Sequence, residues 1–213
     1  IEMHIFLVVN QMGRGVKLLK DQDEKDKLAL LCLRAGEKAM HCSDFKTAVE
    51  YLSFGIDLLS TRHWRDEYFL SLDLYNTVAE ALYCISEFKK MDRYLEEILS
   101  NARTLQHEVR AHCTKIYALG ARHRVQEAID IGFTVLERLG EKFPSKVRFV
   151  NILSGLMKTK RVLLGKRDND LLRLPDMENP EKLAAMGILN LISTYTFLGR
   201  PEVFPLVAFR MVQ

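Results

Sequence analysis

A chain of 213 residues suffices for one large domain or a short repeat array with a continuous core. With 48% hydrophobic and 28% charged residues, five prolines and eleven glycines, its composition excludes a disordered or low-complexity protein and leans toward helix formers. A net charge of +3, from 31 basic and 28 acidic residues, excludes nucleic-acid binding driven by bulk charge.

In chain order, the periodicity predicts a first helix over Glu2 to Gln11, closed by a turn at Gly13 and Gly15, so that residues 1–22 form a first helix and turn. The second helix starts at Asp21, with Glu24 three residues on in the arrangement of a capping box, and runs to His41. "CSDF" is a turn in which Ser43 or Asp44 caps the next helix, whose one face carries Ala48, Tyr51, Leu52 and Gly55. No segment alternates with period two between turn signals, so the expected fold class is all-α. No apolar run approaches the roughly 20 residues that cross a bilayer, and the opening run Ile5 to Val9 has neither a basic leader nor a small-residue cleavage site.

Small residues recur inside these helices at a cost, since an interior glycine is about 1 kcal/mol worse than alanine. Gly36, Ala39, Ala48, Leu52 and Gly55 stand at offsets 0, 3, 12, 16 and 19. The same offsets give Ala79, Leu82, Met91, Leu95 and Ile98, then Ile116, Leu119, Ala128, Gly132 and Val135. Stacked helical hairpins need small or apolar residues wherever neighbouring helices approach most closely, so these positions are expected to admit a helix and not a ligand. The frames define degenerate antiparallel hairpins over 23–167, expected to stack as a right-handed α-solenoid.

The insertion between the first two frames, "RHWRDEYF", carries the only tryptophan; Trp64 with Tyr68 and Phe69 is either a plug between repeats or a partner-binding cluster. Further on, Lys158, Lys160, Arg161, Lys166 and Arg167 surround Val162, Leu163 and Leu164 in the pattern of a basic amphipathic helix end. Pro175 and Pro180 interrupt a linker over 168–180, Asn179-Pro180 starts the next helix, and 181–213 read as a further hairpin. The apolar content of that hairpin, from Ile188 and Leu189 to Phe209 and Met211, exceeds what one terminal hairpin can hide. The lack of an initiator methionine and the apolar ending suggest an excerpt of a longer protein that self-associates when cut there.

Few residues offer chemistry. "GRGVKLLK" places Gly13, Gly15 and Lys17 at the wrong spacing for a phosphate-cradling P-loop and supplies no hydroxyl after the lysine. His41-Cys42 and His112-Cys113 are adjacent pairs whose side chains diverge by about 100° on a helix, which suits no chelate. His4, His63, His107 and His123 have no acid or nucleophile at motif spacing. Cys32, Cys42, Cys84 and Cys113 form no CxxC pair, so reduced thiols filling core or groove positions in a cytoplasmic protein are expected. No cofactor and no metal are expected.

The frames resemble the tetratricopeptide family, in which two antiparallel helices per repeat pack through small residues. The phrases "LALLCLRAGEKAMHCSDFKTAVEYLSFGIDLL", "LSLDLYNTVAEALYCISEF", "AIDIGFTVLERLG" and "LLRLPDMENPEKLAAMGIL" are similar to the helical middle region of large signalling proteins. Those proteins combine a serine/threonine kinase-like domain, a STAND-class AAA ATPase and a GAF, histidine-kinase or cyclase output module. The resemblance implies a non-catalytic scaffold or relay whose partners are other domains of the same polypeptide or a protein or peptide, with no nucleic acid or membrane partner. The alternative is a free-standing tetratricopeptide adaptor holding a peptide in its concave groove.

Overall fold

The computed structural model describes residues 4–144, 146–166, 170 and 176–213. Among them the fold is all-α and contains no strand. The helices are α1 (Ile5–Arg14), α2 (Gln22–His41), α3 (Phe45–Leu58), a single turn α4 (His63–Asp66), α5 (Tyr68–Cys84), α6 (Phe88–Asn101), α7 (Leu105–Ala121), α8 (Val125–Arg138), α9 (Phe149–Leu163), α10 (Pro180–Gly199) and α11 (Phe204–Val212). The chain divides into two compact units, Ile1–Thr114 and Lys115–Gln213, and the division falls within α7. Arg167 and Pro175, the predicted helix start at Glu2, and most of the proposed 168–180 linker lie outside the described residues.

One turn joins the two helices at three hairpins, and recurs at the end of α8, where Glu141 N–H donates to Leu136 C=O and Gly140 N–H to Glu137 C=O; it explains the frame spacing. At the end of α2, Asp44 N–H donates to Ala39 C=O and Ser43 N–H to Met40 C=O. The pairs Glu87 to Leu82 and Ser86 to Tyr83 close α5 onto α6, and Arg124 to Leu119 and His123 to Gly120 join α7 to α8. Each is a Schellman turn, with a left-handed residue between helix and cap: Ser43 at φ 59°, Ser86 at 61° and His123 at 58°. The second position of each frame, Ala39, Leu82 or Leu119, is the residue whose carbonyl takes the bond that spans more of the sequence. Asp44 then caps α3 through Thr47 N–H at 3.3 Å, which resolves the choice between Ser43 and Asp44. Asp21 caps α2, and Asn179 caps α10 with Pro180 in its first turn.

In the first unit α2 and α3 pack as a hairpin, α5 and α6 as another, and α3 and α2 both lie against α5. Every position of the first two frames is buried. A β-carbon at Gly36 would overlap the Leu52 side chain of α3, and one at Gly55 would stand 2.9 Å from Cys32 Cβ of α2 and 3.0 Å from Leu74 Cδ2 of α5. Gly55 therefore sits where three helices converge. Gly13 lies inside α1 and not in the turn expected there; α1 runs on to Arg14, and a β-carbon at Gly13 would touch the edge of the Phe54 ring at an ordinary 3.4 Å.

In the second unit α10 packs on α8 and on α11, and α11 packs on α9. All third-frame positions are buried. A β-carbon at Gly132 would collide with Ile192 of α10, and one at Gly155 would come within 2.8 Å of Phe209 of α11. The terminal hairpin hides more apolar surface than its sequence suggests: Ile188, Leu189, Ile192, Leu206 and Val207 are buried, because α8 and α9 supply surfaces for α10 and α11. Phe197 and Leu198 remain exposed. Cys42 and Cys84, expected to fill core or groove, are exposed because both stand at helix C-termini.

Candidate functional site

The aromatic insertion of the first unit is built on α4 and the start of α5. Its single helical turn, with Arg62 and Asp66 paired at 3.6 Å, sets the Trp64 ring 5.0 Å from Tyr75, and Tyr75 meets Tyr94 of α6 edge-on at 5.5 Å. Trp64 Nε1–H donates to Glu97 of α6 at 3.0 Å. His63 stacks on Tyr75 and its Nδ1 lies 2.9 Å from Ser71 Oγ. Burial holds the His63 imidazole below its ordinary value against the opposing pull of Glu97, and burial, with Glu97, Tyr94 and Asp57 adding, pushes the Tyr75 phenol up to about 12.

Tyr68 is buried, and its hydroxyl is shared between His107 Nδ1 at 2.7 Å and Arg103 N–H at 2.9 Å. The Arg103 guanidinium lies 3.9 Å above the Tyr68 ring and donates to the carbonyls of Trp64 and Arg65. Of the three residues singled out in this insertion, Trp64 is half-buried, Tyr68 is internal and Phe69 is 67% exposed, touching Tyr68 and His107 edge-on. The cluster is thus a bonded joint between α4, α5, α6 and the start of α7, with Phe69 as its solvent-facing ring. Sequence spacing could not reveal the share taken by Tyr94, Glu97, Arg103 and His107, which come from 26 to 43 residues further along.

The second unit contains a cleft of about 840 Å³ between α8, residues Phe143, Pro144, Lys146 and Val147, and the α10–α11 turn. Its apolar wall is Phe133, Phe143, Val147 and Val203, with the two phenyl rings 5.0 Å apart. At its rim Arg200 pairs with Asp130 at 2.7 Å and donates to Gln126 at 2.7 Å. An apolar floor with fixed charges at the edge can hold an extended or helical segment of polypeptide.

Two of the thiols keep their protons. Burial pushes the Cys32 thiol up to about 12 and Cys113 to about 11, so neither supplies a thiolate near neutral pH. Among the described residues no three His, Cys, Asp or Glu side chains are grouped to hold a metal ion, and no helix is long and apolar enough to cross a membrane. Lys17 lies in a short 3-10 turn, Val16–Leu18.

No family model and no solved structure matches the chain. It is similar to the hybrid signal transduction histidine kinase G of Dictyostelium discoideum, at 28% identity over 149 residues. The match covers 65% of this chain and 4% of that protein, so the chain spans a small fraction of its relative's length. The similarity links this all-helical chain, distantly, to a region of a signalling protein.

Proposed function

We propose that this chain is a non-catalytic, tetratricopeptide-like interaction or relay region of a multidomain signalling protein, one that also carries a STAND-class AAA ATPase and a kinase or cyclase module. The observation that carries this is the repeated hairpin: at three joints one Schellman turn links two helices, each followed and preceded by frame positions that are buried. Such units bury their faces on neighbours and present the remaining surface to partners. The distant signalling relative supports the context, and the peptide-sized cleft along α8 supports the interaction role. Stacking of the hairpins as a right-handed solenoid, the division into 1–22, 23–167, 168–180 and 181–213, and a cytoplasmic location belong to the same proposal.

The complete transcript tests the context. It is expected to encode, upstream of Ile1, a P-loop of the form GxxxxGK followed by Ser or Thr; an initiator and a polar capping helix there instead would favour a free-standing adaptor. Titration of Mg-ATP into the purified chain tests the non-catalytic role. No saturation is expected, and micromolar binding abolished by Lys17→Ala would overturn it.

A further inference from the structure

The surface of α9 is unlike that of the other long helices. One side is occupied: Gly155 faces Phe209, and Thr159 is buried with its hydroxyl 3.0 Å from the Gln213 side chain. The opposite side carries Phe149, Val150, Leu153, Leu156, Met157 and the C-capping Leu164, which are 76%, 71%, 47%, 48%, 56% and 76% exposed. At 100° per residue they fall within an arc of about 120°. Their exposed surface equals nearly four fully exposed large side chains, on the order of 600 to 800 Å². That is at or above the largest apolar patch of an ordinary monomer, and close to one partner's share of a standard protein interface.

Charge selects the occupant. From Lys142 to Arg167 the sequence has eight lysines and arginines and no acidic residue. Glu141, just before it, is taken by Arg210 at 2.6 Å. Lys160 is exposed and lies inside the apolar arc, between Leu156 and Leu164. A second copy of the chain would set this cationic stretch against itself. A lipid surface would have to receive the Lys160 ammonium at the centre of the inserted face. A helix with acidic residues beside its own apolar stripe meets both features, covering the arc and placing a carboxylate opposite Lys160.

We propose that the exposed stripe of α9 docks an acidic amphipathic helix of a protein partner. This rests on the reading of the chain as an interaction region and names the chemistry of what it binds. The stripe supplies the apolar anchors, and Lys160 with the flanking cations sets polarity and register. Binding is therefore salt-sensitive in rate and specificity, and apolar in its main driving force.

The test uses the whole 213-residue chain and a fluorescent 18-residue helical peptide with leucine at its a and d positions and glutamate beside them. A peptide with lysine in place of every glutamate is the control. Saturable binding of the acidic peptide is expected, with at least a tenfold loss in the Leu153→Ser/Leu156→Ser variant. Lys160→Glu should weaken the acidic peptide and strengthen the basic one, a swap that a folding defect cannot produce; circular dichroism checks the fold of each variant. Undiminished peptide binding in the double variant would overturn the α9 site while leaving an interaction region, with the α8 cleft as its seat. Binding to vesicles of 30% phosphatidylserine in phosphatidylcholine without peptide binding, or dimerisation by light scattering that the double variant abolishes, would overturn it in favour of a membrane or a second copy. ATP binding abolished by Lys17→Ala would instead remove the underlying reading of the chain.

Discussion

Between α3 and α5 the chain inserts residues 59–67, and between α8 and α10 it inserts residues 139–179, and the two insertions treat their apolar residues in opposite ways. The first, together with the opening residue of α5, turns Trp64 and Tyr68 inward, where Tyr75, Tyr94, Glu97, Arg103 and His107 take up their faces and polar atoms. The second builds α9, binds one side of it to α11 and leaves Phe149, Val150 and Leu164 more than 70% exposed. An insertion whose aromatic rings are bonded on several sides closes a joint. One that holds a helix in place by its small residues and turns its large ones outward offers a surface.

The first unit should be the more sensitive to substitution. Gly55→Leu is expected to cost about 3 kcal/mol in the guanidinium midpoint, the upper end for overpacking, because the new side chain meets Cys32, Leu74 and the Ala29 carbonyl together. An unchanged midpoint would mean that the three helices do not converge there. Trp64→Ala is expected to cost about 2 kcal/mol, less than a fully buried tryptophan because the ring is half-buried. A loss below about 0.5 kcal/mol would make Trp64 a surface ring comparable to those of α9 and would collapse the contrast between the two insertions.

The shared turn allows a gain as well. Ser86 adopts a left-handed conformation that glycine takes without strain, so Ser86→Gly should raise the midpoint by about 0.5 to 1 kcal/mol. A loss would show that the serine side chain contributes something the turn geometry does not account for. The joint also carries a small pH dependence. With the His63 pKa held below its ordinary 6.5, the unfolded chain binds more protons in the window between the two values. Stability from this group is complete above about pH 7 and declines as pH falls through 6.5 toward the folded value. Denaturation of the wild type and of His63→Gln from pH 7.5 to 5.5 should differ by that slope, and parallel curves would place the imidazole in solvent.

Much of the hairpin architecture was legible because it depends on local chemistry. The offsets of Gly36, Ala39, Ala48, Leu52 and Gly55 repeat because one turn geometry fixes the register of two helices, and Asp44 and Asn179 announce their helices as caps. Gly13 misled because glycine commonly ends a helix, whereas α1 runs through it to Arg14. The partners of Trp64 and Tyr68 were not legible, since they arrive from α6 and α7 by tertiary packing. The stripe on α9 was hidden for a related reason. Periodicity reveals that a helix has an apolar face but not whether a neighbour covers it, and only the basic end of this helix, Lys158 to Lys166, stood out in sequence. Likewise, the terminal hairpin resembled an open end until α8 and α9 were in place to receive Ile188, Ile192 and Val207.

The contrast between a closed joint and an open face is tested most directly by the equilibrium stability of Leu153→Ser/Leu156→Ser. Surface apolar residues that wait for a partner contribute little to the isolated fold, so the double variant should lose no more than about 1 kcal/mol, much of it the lower helix propensity of serine. Two leucines packed in a core would lose several kcal/mol on the same replacement. A loss of that size would contradict the account, because it would mean that the stripe on α9 already has its neighbour within this chain.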